Sequence, residues 1–210
     1  MTIEIFTFSL NVLASAAFAM TAVLAVSDKK PDLIGAIVLG TLTAVGGGTV
    51  RDLILDVPIF WLQGTAEIRA AVIASILVFY ARSFFTVPQM FKMLLYLDAF
   101  GAALFSMQGA IKTWEIGTAL PIAPVIFGVM SAVGGGIIRD TVAGRETLLI
   151  KSELYAGPIL LGCLMFWGVL SWLPQHVISG AVVCATFIFL FLSAAIHWQW
   201  QMPKIFLMHR

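Results

Sequence analysis

The chain has 210 residues, of which 60% are hydrophobic and only 11% are charged, and its net charge at pH 7 is +1. Soluble domains carry roughly 25% charged residues, so 12 basic and 11 acidic side chains are too few to give a fold of this length a polar surface. The longest basic run is the pair Lys29 and Lys30, which makes a nucleic-acid partner improbable. Composition therefore excludes a soluble domain and indicates a polytopic membrane protein.

Charged residues and Pro/Gly positions divide the chain into seven predicted transmembrane helices. The third is the weakest, because Arg82 interrupts it, although a long basic side chain near a helix end can extend to the lipid headgroups. Residues 154–203 carry no charge, and fifty helical residues would be more than twice as long as a bilayer is thick, so this stretch must hold two helices. The predicted spans are residues 5–26, 33–55, 69–85, 93–111, 121–142, 154–173 and 177–198.

The distribution of basic residues predicts the orientation of these helices. In this topology nine Lys and Arg residues lie on one side of the membrane, and only Arg51, Arg69 and Lys112 lie on the other. Cytoplasmic loops carry the excess of basic residues in membrane proteins. We therefore expect an outward N-terminus, a cytoplasmic tail over residues 199–210, and a location in a prokaryotic inner (plasma) membrane.

An internal repeat relates the two halves of the chain. Residues 40–53 recur at residues 128–141 with eight identities in fourteen positions, and the preceding helices match at an offset of 87, which aligns Asn11 with Asp98. Each copy spans three predicted helices, so the second copy enters the membrane from the opposite side. The sequence thus predicts an all-α fold of two inverted three-helix repeats, residues 5–85 and 93–173, plus one additional helix over residues 177–198.

Each repeat carries three consecutive glycines in an apolar span, which costs about 1 kcal/mol of helix preference per glycine. One explanation is close packing of helices through small residues. The other is a helix break that turns carbonyl oxygens toward a cation near the bilayer midplane. A contiguous triplet surrounds the helix rather than lining one face, so we favour the break. The predicted ion pathway then contains Gly46, Gly47, Gly48, Gly134, Gly135 and Gly136.

An arginine and an aspartate follow each triplet. They form an ion pair that anchors a helix end, or they form a gate or vestibule, and their duplication favours the second role. Asp98 lies alone in its span, where it is neutralised by one of the arginines or attracts a permeating cation. We assign Arg51, Asp52, Arg139 and Asp140 to the gate or vestibule, and add Asp98 and the polar residues Asn11, Thr43, Ser106, Gln108 and Ser131 to the pathway.

The pair of motifs GGGTVRD at 46–52 and GGGIIRD at 134–140, with the three-plus-three-plus-one order of spans, resembles the prokaryotic members of the TRIC family, the trimeric intracellular cation channels. The resemblance implies a homotrimer within membrane lipid, a pore in each protomer, permeability to K+ and less selectively to Na+, and kinks at the glycines. Animal members bind a phosphoinositide through a Lys-Glu-Val motif, which residues 151–153 do not match.

Related bacterial sequences carry the label of glycine transporters, so a carrier for a small amino acid is the alternative function. The lack of a clear coupling-ion site other than Asp98 favours the channel. We find no nucleophile, base and orienting group that would converge, and neither the two cysteines nor the three histidines have metal-ligand spacing. We therefore expect no enzymatic activity, no metal site and no cofactor.

Overall fold

The computed structural model describes residues 2–151 and 155–200, which are nearly all helical. Residues 201–210, most of the predicted cytoplasmic tail, lie outside the described residues. The helices are α1 (Ile3–Ala25), α2 (Leu33–Ile54), α3 (Ala66–Ala81), α4 (Val87–Ile116), α5 (Ala123–Val142), α6 (Leu148–Lys151), α7 (Ala156–Trp172) and α8 (Val177–Trp198).

Each of the seven predicted spans corresponds to one long helix, and α6 is a single extra turn in the part of the chain that the structure describes. Five of the long helices, α1, α2, α4, α5 and α8, are long and apolar enough to cross a membrane. α7 has 17 residues, the lower limit for a membrane span, and α3 has 16 residues followed by the 3-10 turn Arg82–Phe84. The predicted all-α membrane fold is confirmed.

α4 is longer at both ends than the span predicted over residues 93–111. Thr86 and Gln89 form a capping box and Pro88 occupies the first turn, which together begin the helix at Val87. The helix ends at Ile116 because Gly117 adopts a left-handed conformation with φ 71°. The hydrophobic pattern alone could not locate these ends, because a polar capping box sets the first and a left-handed glycine sets the second.

The centre of the molecule is formed by α1, α2, α4 and α5. α1 packs against α2, α3 and α4, whereas α5 packs against α2, α4 and α7. α8 covers α4 and α7 from outside: 22% of its most apolar window is buried, against 67% in α1. Large apolar side chains on the outer helix faces are exposed and suited to lipid, among them Ile34, Ile73, Leu77, Val183 and Leu190.

Candidate functional site

The glycine triplets lie where α2 packs against α5, and there the two backbones touch. A methyl group added at Gly47 would lie 2.8 Å from both the backbone nitrogen of Gly135 and the carbonyl oxygen of Ser131. One added at Gly134 would lie 2.9 Å from the Cα of Gly47. Carbon atoms do not approach backbone atoms so closely, so only glycine permits this contact between two membrane helices.

The predicted helix break is wrong. α2 and α5 continue as α-helices through both triplets, so these helices are not broken at Gly46, Gly47, Gly48, Gly134, Gly135 and Gly136. Their carbonyl oxygens stay within the helical hydrogen-bonding pattern and are not released as cation ligands. At Gly47, Gly134 and Gly135 the missing side chain permits the close helix contact, which was the other explanation of the triplets. The place of these glycines along an ion path stays a prediction.

Arg51 and Asp52, at the end of α2, are fully buried. The Arg51 Nε lies 2.8 Å from Asp52 Oδ1, and its Nη1 donates a hydrogen bond to the Gln108 side chain from α4. The Lys112 Nζ lies 2.9 Å from the same Asp52 oxygen. The other Asp52 oxygen accepts a hydrogen bond from the backbone of Phe60 in the following loop. We call Arg51, Asp52 and Lys112 the Arg51 cluster.

Arg139 and Asp140, at the end of α5, repeat this arrangement. The Arg139 Nε lies 2.7 Å from Asp140 Oδ1, and its Nη1 donates to both Asp98 Oδ1 and Thr21 Oγ1. Asp140 Oδ2 accepts from the backbone of Leu148, eight residues on, as Asp52 accepts from Phe60. We call Arg139, Asp140 and Asp98 the Arg139 cluster.

Asp98 is therefore the buried ion-pair partner of an arginine, the first of the two roles that its position in α4 suggested. Its second carboxylate oxygen accepts a hydrogen bond from the Tyr155 hydroxyl at the start of α7. With both oxygens partnered by protein groups and its side chain 1% exposed, Asp98 is not available to solvent in this structure. An isolated buried charge is costly, and these partners offset that cost.

The contacts of the two clusters are equivalent under the sequence repeat. Gln108 lies 87 residues after Thr21, and Arg51 binds the former as Arg139 binds the latter, so each arginine reaches across to the opposite repeat. Asn11, which aligns with Asp98, carries no charge. The Arg51 cluster has two cations, Arg51 and Lys112, and one carboxylate. The Arg139 cluster has one cation and two carboxylates.

Two cavities lie at opposite ends of α1 and α4. The larger, of about 550 Å³, lies between the first turn of α1 and the last turns of α4, and both Gln108 and Lys112 line it. We call it the Lys112 cavity. The smaller, of about 300 Å³, lies beyond the end of α1, where Asp140 and Arg145 line it. We call it the Arg145 cavity. Each cavity thus reaches one of the two clusters.

The other residues predicted for the pathway are buried in these helices. The hydroxyls of Thr43, Ser106 and Ser131 each donate to a carbonyl of their own helix, as membrane-helix Ser and Thr often do. Ser131 also lies 3.4 Å from the Arg51 Nη1. Asn11 lines the Lys112 cavity, and its Oδ1 has no hydrogen-bond partner among the described residues.

Sequence reasoning missed three residues of the site. Thr21 was detectable, because the repeat offset of 87 aligns it with Gln108. Lys112 was also detectable, because it follows Gln108 by four residues and so shares its helix face. Tyr155 carried no signal, since its contact with Asp98 depends on how α7 packs against α4.

Comparison with known proteins agrees with this geometry. A family model described as "Glycine transporter" matches residues 8–83 and 95–171. The chain is 33% identical to UPF0126 inner membrane protein YadS of Escherichia coli, over 92% of this chain and 93% of that one. It is 32% identical to UPF0126 membrane protein YvgT of Bacillus subtilis, over 93% and 94%.

Among solved structures, the TRIC trimeric intracellular cation channel orthologue from Rhodobacter sphaeroides superposes with a TM-score of 0.84 at 31% identity. The match covers 92% of this chain and 98% of that one. A second TRIC cation channel structure covers the whole of both chains with a TM-score of 0.81 at 28% identity. The chain therefore belongs to the family described as glycine transporters, whose fold it shares with the bacterial TRIC cation channels.

Proposed function

We propose that this protein is a monovalent cation channel, permeable to K+, with one pathway in each protomer. The observation that carries the proposal is the pair of cavities at opposite ends of α1 and α4, each of which reaches one buried arginine cluster. We infer that the α2–α5 glycine contact separates the cavities and closes the pathway. Opening then requires α2 and α5 to move apart at the triplets.

The charges around the Lys112 cavity support cation entry. Among the described residues, three acidic ones and a single basic one line it: Glu4, Glu67, Glu115 and Lys112. A mouth in which acidic groups outnumber basic ones raises the local concentration of cations and lowers that of anions. The match to TRIC cation channels at 31% and 28% identity adds support for the same activity.

K+ flux through purified protein in proteoliposomes tests the proposal. In liposomes with a K+ gradient, the protein should carry a K+ current. A voltage dye whose signal does not depend on pH should then report a membrane potential near the K+ equilibrium value. Replacing half of the K+ by Na+ should shift that potential only partly, since the resemblance implies Na+ permeation too. Liposomes that contain folded protein and carry no K+ current would refute the channel.

A carrier for a small amino acid is the second candidate, favoured by the description of the matched family model. The Lys112 cavity carries groups of both signs, which suits the carboxylate and ammonium of a zwitterion. The same liposomes distinguish the candidates: a carrier accumulates radiolabelled glycine against its gradient, whereas a channel passes K+ in the absence of any amino acid.

Assembly and topology complete the proposal. We infer a homotrimer within membrane lipid, an inner-membrane location, and no enzymatic activity; the inner-membrane label of the Escherichia coli relative supports the location. We further infer two inverted repeats, supported by the equivalent contacts of Arg51 and Arg139. Chemical crosslinking of the purified protein tests the trimer.

Labelling of single cysteines tests the orientation. In intact cells an impermeant thiol reagent should modify a cysteine placed at Thr2 and spare one placed beyond Lys204 in the tail. Cys163 and Cys184 are buried and serve as the unreactive background. The reverse labelling pattern would overturn the outward N-terminus.

A further inference from the structure

The loop between α2 and α3 carries an aromatic ring to the Lys112 cavity. Phe60 lies in the 3-10 turn Phe60–Leu62 of this loop, lines the cavity and is buried. Its ring fills the space that Gly48 leaves on α2, because a methyl group added at Gly48 would lie 2.5 Å from the Phe60 Cε1. The three atoms nearest to that methyl group all belong to the Phe60 ring. We call this space the Gly48 notch. The third glycine of the first triplet thus receives Phe60 rather than α5.

Two further rings connect Phe60 to the α2–α5 contact. The Phe60 ring meets the ring of Phe105 in α4 edge to face, with centroids 6.5 Å apart. Phe105 in turn stacks on Phe18 of α1 at 5.5 Å. Phe18 lies beside the glycine contact, since a methyl group added at Gly135 would be 3.8 Å from its Cδ2. A series of buried apolar rings therefore leads from the cavity to the triplets, and apolar constrictions stop ions by excluding water.

We propose that Phe60 is a hydrophobic gate residue, whose ring closes the inner end of the Lys112 cavity and must move before K+ passes to the triplets. This inference rests on the proposed channel function and names the residue that closes the channel at this mouth. The Gly48 notch belongs to the triplet of α2, so a shift of α2 away from α5 also moves the surface on which the ring rests. Movement of the ring and of the helix are then one opening step.

Two hydrogen bonds tie the gate to α2. The Phe60 backbone nitrogen donates to Asp52 Oδ2 at 2.9 Å, and the Trp61 Nε1 donates to Thr49 Oγ1 at 2.8 Å. Both acceptors are on α2, whereas Phe105 is on α4. A shift of α2 should therefore carry the Phe60 ring away from Phe105 and open a gap in the series of rings.

The second repeat has no ring at the equivalent place. The residue equivalent to Phe60 is Leu148, whose backbone nitrogen also donates to the aspartate of its motif. The glycine equivalent to Gly48 is Gly136, where an added methyl group would meet polar atoms, of which Asp98 Oδ1 is the nearest at 3.6 Å. The backbone arrangement thus forms without an aromatic side chain, so the Phe60 ring is a feature of one mouth.

Three variants in proteoliposomes and single-channel recordings test the inference. Phe60→Asn replaces the ring by a polar side chain, and Phe60→Leu keeps an apolar side chain, as in the second repeat. Leu62→Asn makes the same polar change at a 66% exposed position of the same turn. We expect Phe60→Asn to raise the open fraction and the resting K+ flux about tenfold, because water then enters the constriction and a minor open state of about 0.1–10% leaves room for the rise. Phe60→Leu and Leu62→Asn should stay close to wild type.

The outcomes separate the gate from the channel itself. A wild-type K+ current whose open fraction Phe60→Asn leaves unchanged or lowers in folded protein would overturn the gate and leave the channel standing. An equal rise in Leu62→Asn would do the same. Silence of the wild type and of all variants would overturn both. Circular dichroism and size-exclusion chromatography establish that each variant is folded, and Phe60→Thr supplies the same comparison if Phe60→Asn does not fold.

Discussion

The Arg51 cluster and the Arg139 cluster are built from the same motif at the end of equivalent helices, yet they differ in charge. In both, an arginine pairs with the aspartate beside it and crosses to the opposite repeat. Lys112 adds a second cation to the first cluster, whereas Asp98 adds a second carboxylate to the second. The repeat therefore preserves the geometry of the two sites, and single substitutions outside the motif set the sign of each.

Removal of the arginines should give the largest difference in stability between the two clusters. Arg139→Met leaves Asp98 and Asp140 buried without their shared cation, which should lower the free energy of unfolding by about 3–5 kcal/mol. Arg51→Met leaves Asp52 still paired with Lys112, so the loss should be about 1–3 kcal/mol. Detergent-denaturation curves followed by circular dichroism measure both. Equal losses would mean that the charge difference has no energetic consequence.

The glycine contact gives the next largest effect. In Gly135→Ala the new methyl would lie 2.6 Å from the Thr43 carbonyl oxygen, and we expect a net loss of about 2 kcal/mol although alanine favours a helix by about 1 kcal/mol. Gly136→Ala, in the same triplet, would meet only ordinary contacts at 3.6 Å and beyond. It serves as the matched control.

The same pair of glycine variants probes the pathway. If the contact closes the channel, Gly135→Ala should change K+ flux in folded oligomers while Gly136→Ala changes it little. Unaltered stability and flux in Gly135→Ala would contradict the backbone contact between α2 and α5.

Asp98→Asn should have a moderate effect on stability. Arg139 keeps Asp140, the amide oxygen still accepts a hydrogen bond from Arg139, and the amide nitrogen can donate to the Tyr155 hydroxyl, so we expect a loss of about 1.5 kcal/mol. The Tyr155→Phe variant removes the hydrogen bond from Tyr155 and so measures the contribution of that bond to stability. If Asp98 acts only as a structural partner, the reversal potential in a K+ gradient should not move. A lower preference for cations over anions would instead give Asp98 a part in the pathway.

The smallest expected change in stability belongs to Asn11→Asp, which gives the Arg51 cluster the carboxylate that Asp98 supplies to the Arg139 cluster. The cost of burying the new charge and its attraction to Arg51 oppose each other, so stability should change by less than about 1 kcal/mol. K+ conductance should rise, because the cluster becomes neutral. In the double variant Asn11→Asp with Asp98→Asn, asymmetry of the current between positive and negative voltage should diminish.

Much of this site could be predicted from the sequence, and the one wrong prediction, the helix break, has a physical cause. The repeat offset pairs Thr21 with Gln108, and the structure brings Arg139 to the former and Arg51 to the latter. The predicted helix break was wrong because helix propensity considers the glycine triplet alone, without the helix that packs against it. In the folded chain the triplets of α2 and α5 face each other, and their contact favours intact helices.

Hydrophobic length and charge placement act locally along the chain, so the sequence alone predicts seven membrane helices and a duplicated motif. Which carboxylate neutralises which arginine depends instead on how the helices pack. Asp98 lies 41 residues from Arg139 and Lys112 lies 60 residues from Asp52, and helix packing brings their atoms together. Ionic contacts extend over a few ångströms, so only the packed fold can set the charge of each cluster.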